Sequence, residues 1–98
     1  MKEGDSPWYW YILALASAYL GDRTDAAASL DKAIERFEAR EERISLGRAL
    51  HQRAIFRQQE GALALARQDA EQALDLFTRC GAKHHQATAE RFLQQLPE

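Results

Sequence analysis

Apolar residues return along this chain at intervals of three and four, the spacing of one face of an α-helix. In the C-terminal stretch, Ala89, Phe92, Leu93 and Leu96 share a stripe, while Glu90, Arg91, Gln94 and Gln95 fall elsewhere. The pattern predicts five helices. They run from about Pro7 to Leu20, from Asp22 or Thr24 to Ala39, from Ile44 to Glu60, from Ala62 to Arg79, and from Lys83 to Leu96. Gly21, Gly61 and Gly81 fall where helices should end, at the left-handed residue just past a C-terminus. Asp5 or Ser6 is placed to cap the first helix, with Pro7 at its first position. Composition supports an all-α chain. Alanine, leucine, arginine, glutamine and glutamate dominate, and valine, a good strand former, is absent.

The first helix departs from a one-sided pattern. Trp10, Leu13, Ala14 and Leu20 form a core stripe, yet Trp8, Tyr9, Tyr11, Ile12, Leu15 and Tyr19 cover much of the remaining circumference. A helix that is apolar all round is normally buried on more than one side. Either later helices cover these rings, or something outside the segment does: a partner peptide, a second copy of the chain or upstream repeats. Ala16-Ser17-Ala18 has the look of a leader-peptidase site, but Lys2 is outweighed by Glu3 and Asp5, so the positive start of a secretory leader is missing. The apolar run from Trp8 to Leu20 falls short of the ~20 residues a membrane span requires.

Two helix pairs superimpose at an offset of 40 residues. Gly21 and Gly61, Ala26 and Ala66, Ala33 and Ala73, Ile34 and Leu74, and Phe37 and Phe77 all share it. Such self-similarity marks stacked helix–turn–helix units. The first unit reads Trp10-x2-Leu13-Ala14-x2-Ser17, then Gly21, then Ala26-x3-Leu30-x2-Ala33; the second reads Leu50-x2-Arg53-Ala54-x2-Arg57, then Gly61, then Ala66-x3-Ala70-x2-Ala73. This resembles the tetratricopeptide repeat. Alanines fall where the paired helices should approach closely: Ala14 against Ala26 and Ala33, and Ala54 against Ala66 and Ala73. Ser17 and Arg57 stand in place of the family's tyrosine, and no proline ends the second helix of either repeat. The period exceeds the family's usual ~34 residues, which places about six added residues around Glu38 to Arg43 and resembles the family's long-period branch, where the second helix is extended. Two-helix solenoids of the HEAT type are the alternative.

The resemblance implies a single domain over 1–98, folded as a short right-handed α-solenoid. Repeat one covers about 7–40, repeat two about 44–80, and a capping helix about 83–96. It also implies that the first helix of each repeat lines a concave surface for a protein or peptide. The residues matching ligand-facing positions are Trp8, Tyr11, Ile12, Leu15 and Tyr19, then Arg48, His51, Gln52, Ile55 and Gln59. The carboxylate clamp of some members is missing, because Tyr11, Leu15, His51 and Ile55 occupy its sites.

Charge and chemistry narrow the function. Thirteen basic against 15 acidic residues leave a net charge of −2, without the cationic excess that nucleic-acid binding calls for. A lone cysteine, Cys80, cannot close an internal disulfide, which points to a reducing, cytoplasmic setting. His84 and His85, being adjacent, point to different sides of a helix, so no metal site is expected. Asp22, Asp25 and Asp69 read as helix-start or repeat-surface charges. The mixed-sign run from Glu35 to Arg43 reads as a solvated helix end and turn. No catalytic constellation or cofactor is expected. The chain reads as an adaptor or scaffold module, with a homodimer built on the aromatic first helix as the rival.

Overall fold

A computed structural model describes residues 6–97, and among these it is all-helical: α1 (Pro7–Tyr19), α2 (Arg23–Ala39), α3 (Arg43–Gln59), α4 (Leu63–Cys80) and α5 (Lys83–Gln95). Each boundary lies within a residue or so of its expected place, because caps and turns are written locally. Asp22 accepts the backbone N–H of Asp25 at 3.1 Å and so caps α2. Ser6 occupies the cap position of α1 without a side-chain hydrogen bond; Asp5 lies outside the described residues.

The turns reveal a finer period than the sequence suggested. A left-handed residue recurs every 20 positions, at Gly21, Glu41, Gly61 and Gly81. Each follows a helix end sealed in the same way. Asp22 N–H donates to Ser17 C=O at 2.8 Å, Glu42 to Phe37 at 3.0 Å, Ala62 to Arg57 at 2.8 Å and Ala82 to Phe77 at 2.9 Å. A second bond runs one residue inside each, closing the paired arrangement that satisfies orphan helix carbonyls. The added length expected around Glu38 to Arg43 is therefore not a longer connection. It lies in the helices, since α2 and α3 each run 17 residues with a turn of Arg40, Glu41 and Glu42 between them.

The chain forms two compact units, Met1–Glu42 and Arg43–Glu98. In the first, α1 pairs with α2. Ala14, Ala26 and Ala33 are fully buried, as the close approach of two helices requires. Leu30 and Phe37 complete the core, and the Trp8 ring meets Phe37 edge-on at 4.9 Å. Leu20, expected in the core stripe, is instead 81% exposed, because α1 stops at Tyr19 and Leu20 lies in the turn.

In the second unit, α4 packs against both α3 and α5. Ala54, Ala66, Ala70 and Ala73 are fully buried, again at small-residue positions. Phe77 is the largest apolar side chain buried there. It lies over Gly47 of α3, where an added Cβ would fall 2.6 Å from the ring. On α5, His85 stacks on the same ring at 5.0 Å. Ala89 is fully buried on that helix, and Leu96 closes its C-terminus.

Candidate interaction surface

The apolar excess of α1 divides into two parts. Trp8, Tyr11 and Trp10 are half-buried. Trp8 and Tyr11 meet edge-on at 5.4 Å, and since Trp8 also rests on Phe37, its ring belongs partly to the core. Ile12, Leu15 and Tyr19 follow one another at helical spacing along a second stripe, and all are exposed, Ile12 by 63% and Tyr19 by 90%. Tyr9 and Leu20 extend the exposed apolar surface. Among the described residues, none buries this stripe.

Beside the α1–α2 crossing lies an open cleft of about 280 Å³. Trp10, Leu13 and Ser17 wall it from α1, and Asp25, Ala28, Ser29 and Lys32 from α2. The Lys32 ammonium sits 4.3 Å from the centre of the Trp10 ring, within cation–π range, and the Arg36 guanidinium lies at 5.5 Å. The Asp25 carboxyl is raised above its ordinary value by its hydrogen bond to the Asp22 side chain and then by that neighbour's charge.

Forty residues on, the corresponding positions carry a different solution. Asp69, expected at a repeat surface, is only 2% exposed. Arg53 grips it through two bonds, Nε to Oδ2 at 2.8 Å and Nη2 to Oδ1 at 2.9 Å, and Arg57 Nη1 donates to Oδ2 at 2.9 Å. Both arginines project from α3 one turn apart, so the pair clamps α4 at one point. A bidentate guanidinium–carboxylate contact of this kind is strong and directional. Leu13, Ser17 and Ser29 are the counterparts in the first unit, where they line the open cleft. Sequence reasoning missed the clamp. The signal available was three charges at repeat positions that are uncharged in the first copy.

The remaining expected contact residues lie on α3. Arg48 and Gln59 are exposed, whereas His51, Gln52 and Ile55 are half-buried. His51 meets Phe92 of α5 edge-on at 5.2 Å. Burial, and then the nearby His85, push the His51 pKa below its ordinary value. Cys80 is an exposed free thiol at the end of α4. Among the described residues, no three His, Cys, Asp or Glu side chains converge as metal ligands, and no helix is long and apolar enough to cross a membrane.

The described residues are thus all-helical, with α1 packed on α2 in the first unit and α4 packed on α3 and α5 in the second. Comparison with known proteins finds no matching family, no matching curated protein and no matching solved structure.

Proposed function

We propose that this chain is a non-catalytic protein-interaction module of the tetratricopeptide-like type, its helix pairs stacked as a short right-handed solenoid. In this reading it acts in the cytoplasm without a cofactor, and its partner is a protein or peptide rather than nucleic acid. The observation that carries the proposal is the exposed stripe of Ile12, Leu15 and Tyr19 on a helix whose other side already packs against α2. Contiguous apolar surface left in water is the usual mark of a docking site, and aromatic side chains are its preferred anchors. On the second unit, taken by itself, the exposed Arg48 and Gln59 of α3 and the half-buried Gln52 are polar groups of the kind found at the rim of an interface.

The test starts with molar mass in solution over at least a tenfold concentration range, for the natural chain and for the double variant Ile12→Ser, Tyr19→Ser. A monomer that captures members of a peptide library through this stripe, and loses them in the double variant, supports the proposal. A dimer dissolved by the same changes shows that the stripe serves a second copy instead. Equal binding by natural and variant chains removes α1 from the reading. Trp8→Ala is a poor probe, because Trp8 also covers Phe37 and its loss would disturb the core.

A further inference from the structure

The histidines of the second unit fall at the seam between α5 and the α3–α4 hairpin. His51 lies on α3, with its ring edge-on to Phe92 of α5. His85 lies on α5, stacked on the buried Phe77 of α4. His84 stands beside it at 5.8 Å. The Nδ1 atom of His51 is buried and has no hydrogen-bond partner among the described residues.

That arrangement suits a neutral imidazole and not a charged one. A neutral ring can leave Nδ1 as an unprotonated acceptor, at modest cost. An imidazolium carries a proton on both nitrogens, so Nδ1 would bring a buried N–H with no acceptor. The charged neighbours offer no relief. From α5, His85 acts on His51; from α3 and α5, Arg48 and His84 act on His85, and each disfavours the added charge. On α4, the side facing this seam is the Phe77 ring, while Asp69 is held by Arg53 and Arg57, and Asp75 by Arg79. The Phe77 ring can partly compensate a charge on His85, and the Phe92 ring a charge on His51, but neither supplies an acceptor for the buried Nδ1.

The other attachments of α5 are few. On the helix itself only Ala89 is fully buried, and Leu96 is buried just past its end. At its end, Arg67 reaches the carbonyls of Leu96 and Pro97 through long contacts of 3.4 and 3.5 Å. The element with the thinnest hold therefore carries two of the three histidines at the seam.

We propose that the contacts of His51 with Phe92 and of His85 with Phe77 form a proton-sensitive latch, which holds α5 on the α3–α4 hairpin when both rings are neutral and releases it on mild acidification. Release would uncover the side of Phe77 that His85 now covers.

The direction follows from linkage. Both histidines are pushed below the ordinary value of 6.5, burial being the first cause of each. The released state therefore binds protons more readily than the latched one. The latch is undiminished above about pH 6.5 and weakens as pH falls from there through the lowered values.

Amide hydrogen exchange on the full chain at pH 7.5 and 5.0, corrected for intrinsic rates, tests the latch. Protection of α5 should fall at least about threefold more than that of α3 and α4 on acidification. The variant His51→Leu should remove most of this excess, whereas His84→Gln, at an exposed position, should reduce it only slightly. Proton-detected titration of the natural chain gives an independent reading, free of any folding defect in a variant. His51 should titrate below 6.5, and the α5 exchange should change over the same interval. Equal protection of α5 at both pH values, uniform loss across all three helices, or an ordinary titration of His51 would each overturn the proposal.

Discussion

The two helix pairs handle the same three repeat positions in opposite ways. In the α1–α2 pair, Leu13, Ser17 and Ser29 line an open cleft. In the α3–α4 pair, Arg53, Arg57 and Asp69 close the corresponding place with a buried ion cluster. The alanines at the helix crossing and the phenylalanine at the base are common to both. Close backbone approach is thus the shared requirement. The polar positions beside it can change character only as a set, because one buried charge without its partners would be costly.

The largest effect should come from breaking the set in one unit alone. Asp69→Ala strands two guanidinium groups and should cost about 3 kcal/mol, the low end for a broken buried pair, since both arginines keep some access to water. Ser29→Ala, its counterpart, should cost under about 1 kcal/mol. Urea denaturation of both variants decides this; equal losses would mean that the ion cluster contributes no more than a serine.

Overpacking the shared part should treat the two units alike. Ala26→Leu and Ala66→Leu should each destabilise by about 1–3 kcal/mol, and Gly47→Ala, which drives a methyl group against Phe77, by a similar amount. A change in only one of the two alanine variants, read from thermal unfolding, would show that the crossings are not equivalent.

The smallest effects lie in the turns. Glu41 holds φ of 55° where the other turns place glycine. Glu41→Gly should stabilise by about 1 kcal/mol, and Gly61→Ala should destabilise by a comparable amount. If Glu41→Gly leaves the melting temperature unchanged, the left-handed turn at Glu41 carries no penalty to be relieved.

These comparisons show where the sequence was readable. Gly21, Gly61 and Gly81 announced their turns because glycine is the residue that enters left-handed backbone without a steric penalty. The turn between α2 and α3 was expected, but Glu41 hid its left-handed residue, and with it the 20-residue period, because that conformation is imposed by the two hydrogen bonds that seal α2. Gly47 carried a signal that passed unread: a glycine inside a helical pattern, explained once the Phe77 ring is seen above it. Along α1 the apolar excess was plain, but which rings turned inward was not. Trp8 reached Phe37 while Tyr19 stayed in water.

The sequence alone determined the helices, nearly all their ends and the small residues where they cross. Those features depend on backbone propensity, on caps a few residues away and on the size of one side chain. Tertiary structure decided the partners of side chains that are distant along the chain. It placed Asp69 between Arg53 and Arg57, His51 against Phe92, and Phe77 between Gly47 and His85. A charged or aromatic residue reads the same in sequence whether it is solvated or buried. Only the packed neighbours set its surroundings, and with them its energy.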